Sequence, residues 1–285
     1  MRTLVAAVLL GVVITTSQLR IDQILPPAPE SERLAVWSGP VSRALSFGFA
    51  DLWSDITWLR AVQYAGSQRK FADNKTFKNL RPLLNLTTDL DPRYDVAYRY
   101  GAFFLAESPP LGPGDLAGSL ALLRKGLVAM PDNWQLLQWS AFCRSFYGGD
   151  SAGAADDALL ASKIPGAPSF MGALAAAYRR ASGDLDAAEV LFRQMIQNPE
   201  EYLQTSGKRG LEQVASLRQA RVVEEALRRW TKQKGAPPDQ LTQLAEMVPG
   251  IGLADTRGTP FDYAPASGKV TISRRSPIWS PALTH

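Results

Sequence analysis

LLNLTTDLDPRYDVAYRYGAFFLA at residues 83–106 and SLALLRKGLVAMPDN at residues 119–133 carry the clearest helical pattern of the chain, and a Pro/Gly-rich loop joins them. Both segments carry short apolar patterns with helical spacing. The first pattern stops at Asp91-Pro92 and the second at Pro131-Asp132. A helix, a tight stop and another helix, recurring every ~34–40 residues, predict an all-α solenoid built from helical hairpins.

The composition fits a folded body and argues against nucleic-acid binding. Of the 285 residues, 46% are hydrophobic and 20% are charged, as is typical of folded domains. The formal net charge of +4 is spread along the chain without a block of five or more like charges. Because nucleic-acid interfaces gather their basic residues into a patch, we expect no nucleic acid among the partners.

The cysteine and histidine content removes several kinds of chemistry. Cys143 is the only cysteine, so no intramolecular disulfide can form, and its apolar helical neighbours predict a buried structural thiol. The only histidine is His285, the last residue of the sequence. Histidine-based triads and histidine-rich metal sites are therefore excluded, and we expect a protein that is not an enzyme and holds no cofactor or metal.

The first 20 residues predict a membrane anchor or a signal peptide. Residues 3–19 are 17 uncharged residues between Arg2 and Arg20, close to the lower limit of ~17 residues for a spanning helix. A short apolar core behind Arg2 favours a signal peptide, whereas the poor cleavage site at residues 15–17 favours an uncleaved anchor. Either interpretation predicts an exported body, most simply on the periplasmic side of a bacterial inner membrane.

Composition and punctuation divide the rest of the chain into four parts. Residues 21–35 are rich in proline and predict a stiff, extended tether. Residues 36–199 carry the helical repeats, and residues 200–250 carry helices that cap them. Residues 251–285 contain a β-hairpin, with strands expected at 261–264 and 269–273, and a tail.

Four repeats can be aligned on large residues, small residues and a closing proline. Repeat one carries Trp58, Ala61, Leu80, Leu84, Thr87 and Pro92. Repeat two carries Tyr98, Gly101, Ala102, Leu105, Ser119, Leu123, Gly126 and Pro131. Repeat three carries Leu137, Ser140, Ala141, Ala154, Ala158, Ala161 and Pro165. Repeat four carries Ala175, Ala176, Tyr178, Gly183, Ala188, Phe192, Met195 and Pro199.

This pattern resembles the tetratricopeptide repeat family, whose small residues allow close helix crossings and whose proline ends the second helix. Residues 49–64 also resemble a divergent group of exported bacterial repeat proteins. The repeats depart from the family in two insertions, at residues 66–76 and 108–114. The second insertion is longer than a repeat turn needs, which makes it a candidate contact site.

Two further segments resemble known elements. Residues 211–230 predict one helix with an apolar stripe and a charged face, typical of the cap that a solenoid needs at its end. Residues 255–263 are locally similar to a hairpin segment of pseudopilins, although the rest of the chain shares nothing with them.

The register of the first three repeats identifies candidate residues for a protein-binding groove. Aromatic rings and guanidinium groups dominate interface hot spots. The candidate positions interleave such groups with side-chain amides: Arg60, Gln63, Arg99, Tyr100, Phe103, Gln138, Trp139 and Phe142. The alternative is that Phe103, Trp139 and Phe142 pack inside an irregular superhelix.

The resulting functional hypothesis is a membrane-tethered scaffold or adaptor that binds a peptide or helix of a protein partner in a cell-envelope assembly. The membrane contact is expected through residues 3–19. The alternative is an accessory subunit that its N-terminal helix holds in a larger membrane complex, with the groove empty.

Overall fold

A computed structural model describes residues 15–17, 20, 39–71 and 76–280. The chain divides into two units, residues 1–37 and 38–285. In the first unit, residues 15–17 and 20 are helical. The remainder of the predicted anchor and the tether at 21–35 lie outside the described residues.

The described part of the second unit is mostly helical, which confirms the predicted class. Its helices are α1 (Gly39–Leu45), α2 (Ala50–Phe71), α3 (Leu80–Leu90), α4 (Asp95–Ala106), α5 (Leu116–Ala129), α6 (Trp134–Gly148), α7 (Ser151–Ala161), α8 (Phe170–Ala181), α9 (Leu185–Ile196) and α10 (Glu201–Lys234). A short 3-10 helix (Leu241–Glu246) and the strands β1 (Asp262–Ala264) and β2 (Lys269–Thr271) follow.

The helices pack in the order in which they occur along the chain. Pairs form between α2 and α3, α4 and α5, α6 and α7, and α8 and α9, and each pair contacts the next. Contacts that skip one helix also occur, between α4 and α6 and between α8 and α10. Each pair is therefore supported mainly by its neighbours in sequence.

Prolines and polar caps set the ends of these helices. Pro92, Pro131, Pro165 and Pro199 each follow the end of a helix within four residues. At the opposite ends, the side chains of Asp115, Asn133, Asp150 and Asp184 accept backbone hydrogen bonds at the N-termini of α5, α6, α7 and α9. These caps satisfy amide groups that the helix itself leaves unpaired.

Glycines allow the closest helix contacts. A Cβ atom on Gly126 would lie 2.9 Å from the Tyr98 ring and 3.0 Å from Leu136. A Cβ atom on Gly101 would lie 2.8 Å from Leu84. The small residues aligned in the sequence thus lie where α5 and α4 approach their neighbours.

A stripe of apolar side chains in α1, in α2 and in the turn between them is exposed. Helix α2 buries Ser54, Thr57, Ala61 and Ala65 instead. The Ser54 hydroxyl donates to the Thr87 carbonyl oxygen at 2.9 Å, a close approach to α3 that larger side chains would block. We call the exposed stripe the α1–α2 apolar face, which comprises Val41, Leu45, Phe47, Phe49, Leu52, Trp53, Ile56 and Leu59.

Helix α10 joins the repeats to a small C-terminal module. It is longer than the predicted helix at 211–230, and its second half packs on the hairpin and the 3-10 helix. The predicted β-hairpin is confirmed as an antiparallel pair in which Tyr263 faces Val270. Val222, which the sequence pattern assigns to the apolar stripe, is exposed.

Candidate protein-binding surface

Aromatic side chains from the first three pairs form a continuous chain of ring contacts. We call this set the aromatic ribbon. It comprises Trp58 on α2, Tyr94 just before α4, Tyr100, Phe103 and Phe104 on α4, and Trp139, Phe142, Phe146 and Tyr147 on α6.

The ring contacts cross from helix to helix. Trp58 stacks on Phe104, with ring centroids 6.1 Å apart and planes inclined by 12°. Phe103 meets Trp139 edge to face at 6.2 Å. Phe142 in turn stacks on Phe146 at 5.3 Å. Offset and edge-to-face pairs are the favoured ring geometries, so the rings hold one another in place.

The ribbon is neither a closed core nor a fully exposed patch. Phe103, Phe104, Trp139 and Phe142 are half-buried. Tyr100 is exposed, and Phe146 keeps 70% of its surface accessible. The rings pack against one another, as the internal-packing interpretation predicts, and they also present a surface, as the groove interpretation predicts.

An arginine on α2 connects the ribbon to the Pro/Gly-rich loop at residues 108–114. The Arg69 guanidinium lies over the Phe104 ring, 5.2 Å from its centroid, and forms an ion pair with Glu107. Its Nε atom donates to the Leu111 carbonyl oxygen at 2.9 Å. The Leu111 side chain is exposed. The loop is thus held beside one end of the ribbon.

A second arginine borders the ribbon on α4. The Arg99 guanidinium lies 5.9 Å from the centroid of the Tyr100 ring and pairs with Asp95 at 2.5 Å. The Asn133 side chain donates to the other oxygen of the Asp95 carboxylate at 2.9 Å. The positive charge is therefore locally balanced, and the surface presents mainly ring faces.

The structure brings together five of the eight expected groove residues. Tyr100, Phe103, Trp139 and Phe142 are members of the ribbon, and Arg99 borders it. Gln138 is half-buried on α6 and directly precedes Trp139.

Arg60 and Gln63 have a different position. Both are exposed, and helical spacing puts them on the side of α2 that carries Ile56 and Leu59. The side of α2 that meets α4 carries Trp58 and Arg69 instead. The register counted from Trp58 does not predict which side of α2 faces α4, because the packing of α2 on α3 decides how α2 is turned.

Sequence reasoning missed six residues of this surface: Trp58, Tyr94, Phe104, Phe146, Tyr147 and Arg69. The sequence could have identified Phe146, since it follows Phe142 by four residues and therefore lies next to it on the same helix face. No local sequence pattern indicates the position of Arg69, because its partner Glu107 lies 38 residues away.

Burial perturbs the titration of several groups near the ribbon. Burial and then the hydrogen bond with Asp55 raise the pKa of Tyr94 to about 12. Burial and the nearby Glu107 carboxylate raise the pKa of Tyr147. Burial likewise raises the pKa of the Cys143 thiol, which is fully enclosed, as the sequence predicts for a structural thiol.

Carboxylates that lie close together in the sequence of α3 and α7 take part in structural contacts. Asp157 accepts from the Ser140 hydroxyl at 2.6 Å and from Arg144 at 2.8 Å. Asp156 pairs with Arg179, and Asp89 pairs with Lys125 at 2.5 Å. Within residues 39–71 and 76–280, no three His, Cys, Asp or Glu side chains are grouped so that they could hold a metal ion.

Comparisons with protein-family models, with curated proteins and with solved structures give no match. In the part of the chain that the structure describes, no helix combines the length and the apolar character needed to cross a membrane.

Proposed function

We propose that the chain is a membrane-tethered helical-repeat adaptor whose aromatic ribbon binds a segment of a partner protein. In this proposal the paired helices form a tetratricopeptide-like solenoid in a cell-envelope assembly. The apolar residues 3–19 fix the body to the periplasmic side of a bacterial inner membrane.

The aromatic ribbon is the observation that carries this proposal. Rings are concentrated at interface hot spots because they offer a large contact area with few rotatable bonds. Mutual stacking already restricts the rings of the ribbon, so a partner would lose little freedom in ordering them. Exposed Phe146 and Tyr100 give a partner direct access to the surface.

The surface favours a partner segment that is apolar and carries no charge that would need a partner in the ribbon. Arg69 and Arg99 are each paired with a carboxylate, so neither is left to recruit an acidic ligand. An amphipathic helix or an extended segment with apolar anchors would bury the ring faces and leave these ion pairs at the rim.

Co-purification from solubilised membranes tests the proposal. The test variant is Trp139→Ala/Phe142→Ala in the full chain. The control is Phe170→Ala/Tyr202→Ala, which truncates two exposed rings outside the ribbon. We expect the test variant to lose the partner and the control to retain it, with both variants shown to be folded by circular dichroism.

The same experiment separates the alternative function. An accessory subunit held only by its N-terminal segment, with an empty ribbon, would keep its full set of partners in both variants. That result would contradict the adaptor proposal.

The tether is tested by the mass of the mature protein. An intact-mass measurement on the membrane fraction is expected to give a chain that retains residues 3–19. A mature chain that begins well after Leu19 would instead identify a cleaved signal peptide and contradict the anchor.

A further inference from the structure

We infer that the α1–α2 apolar face is a second membrane contact, which rests on the surface of the bilayer. This inference uses the proposed tether, but it is independent of what the aromatic ribbon binds. It assigns the face to a lipid interface and not to a protein.

The first argument is the concentration of exposed apolar surface. Among the described residues, 19 large apolar side chains are exposed, and nine of these lie between Val41 and Val62. Soluble proteins leave such residues scattered singly, and a contiguous group marks an interaction site. Phe49 directly precedes α2, and its spacing from Leu52, Ile56 and Leu59 puts these side chains on one side of the helix.

The second argument is the turn between α1 and α2. Phe47 has a positive φ of 50° and leaves 84% of its surface in solvent. A bulky residue seldom adopts this conformation. Around the next residue, Gly48, a Cβ atom would meet no other heavy atom within 4 Å. The turn therefore projects an apolar ring into open space, a shape that suits a deformable lipid layer better than a protein surface, which would need a matching cavity.

The third argument is the charge distribution. The exposed face carries Arg60, whose long side chain can keep its guanidinium among lipid phosphates while its stem stays apolar. The exposed acids Asp51 and Asp55 lie on the other side of α2, which carries Trp58, and Asp55 acts on Tyr94 there. An apolar face with aromatic rings and an arginine at its edge fits a segment that lies in the membrane interface.

The fourth argument is chain length. Only 18 residues separate Arg20 from Gly39, and a chain of this length spans about 60 Å at most when fully extended. If a bilayer holds residues 3–19, this length limits how far the apolar face can move away from it. Lipid is thus present at high local concentration without any further partner.

Site-specific quenching by lipids tests the inference. The single variants Phe47→Cys and Val128→Cys are made in the full chain, labelled with an environment-sensitive fluorophore and reconstituted into phosphatidylcholine vesicles. Val128 is a matched control, because it is apolar and also 84% exposed but lies on α5. The native Cys143 is buried, and the labelled wild-type chain gives the background.

We expect a blue shift at position 47 and strong quenching by nitroxide-labelled lipid, with neither effect at position 128. A blue shift at position 47 without lipid quenching would mean that a second copy or another protein covers the face. Equal responses at both positions would mean that no specific contact exists. Either result would overturn the inference.

Flotation of the same vesicles separates this inference from the tether. If the chain floats with the vesicles but position 47 is not quenched, the tether stands and the second contact fails. If the chain does not float, both the tether and the bilayer contact are contradicted.

Discussion

The aromatic ribbon and the α1–α2 apolar face have similar side chains in very different physical states. In the ribbon, half-buried rings from three helices stack on one another and are framed by two paired arginines. On the apolar face, Phe47, Phe49 and Leu52 are exposed and the turn lies in open space. The difference shows that ring content alone does not define a binding surface.

The two regions differ in whether neighbouring helices contact their side chains. Rings of α2, α4 and α6 meet across the helices, because Trp58 stacks on Phe104 and Phe103 meets Trp139. The outer side of α2 has no such neighbour among the described residues, and its side chains meet solvent. The first region is suited to a defined partner segment and the second to an adaptable lipid surface.

The largest expected difference between core and face is in unfolding free energy. Leu84 is completely buried, whereas Leu52 leaves 56% of its surface exposed. We expect Leu84→Ala to lower the free energy of unfolding by about 2–5 kcal/mol, because it leaves a cavity between helices. Leu52→Ala is expected to change it by less than about 0.5 kcal/mol. Denaturant unfolding of the two variants measures both, and equal losses would contradict the exposure of the face.

A smaller difference is expected between rings of the two regions. Phe103 touches the rings of Phe104, Trp139 and Tyr147. Its replacement by alanine should cost about 1–3 kcal/mol, since half-buried area and several ring pairs are lost. Phe49→Ala, which removes an exposed ring, should cost less than about 0.5 kcal/mol. Urea titrations followed by far-UV circular dichroism compare them, and a large effect of Phe49→Ala would show that the face is packed.

The arginines of α2 give a comparison of charges. Arg69→Gln removes the contact with the Phe104 ring and the ion pair with Glu107, and we expect a loss of about 1 kcal/mol. Exposed Arg60 makes no ion pair recorded within the described residues, so Arg60→Gln should leave stability unchanged. A double-mutant cycle with Glu107→Gln isolates the ion pair, and a coupling energy of zero would mean that the pair adds nothing to stability.

The smallest expected effect is a pH dependence from Tyr94. Because the folded state raises the pKa of Tyr94 to about 12 from an ordinary value of about 10, the unfolded chain loses this proton first. Its contribution to stability is complete below pH ~10 and is lost as the pH rises from ~10 to ~12. Tyr94→Phe should flatten the stability curve in this window. An unchanged slope would mean that burial and Asp55 do not perturb Tyr94 in the folded state.

The helices of the repeats were predictable from local signals. Pro92, Pro131 and the other closing prolines follow helix ends, and residues such as Asp115 cap helix starts. The residues that set each helix boundary therefore lie within a few positions of it in the sequence. The small residues Gly101 and Gly126 likewise indicate the helix crossings. The β-hairpin at β1 and β2 follows from its turn and its alternating aromatic residues.

The two sides of α2 were not predictable in the same way. The stripe from Phe49 to Leu59 has the spacing of a buried helix face, but Ser54, Thr57 and Ala61 are buried because α3 approaches closely through Thr87. That choice depends on a contact about 30 residues away and not on the stripe itself. For the same reason the register from Trp58 assigned Arg60 and Gln63 to the groove.

Photo-crosslinking at the ribbon shows whether a partner protein lies on it. A benzophenone side chain is introduced at position 146 in the full chain, and a second variant carries it at position 202, whose native tyrosine is 68% exposed against 70% for Phe146. In intact membranes we predict a discrete protein adduct at position 146 that disappears when Trp139→Ala is added, and no such adduct at position 202. An adduct that persists in the Trp139→Ala background, or no adduct at position 146, would contradict the claim that the aromatic ribbon binds a partner.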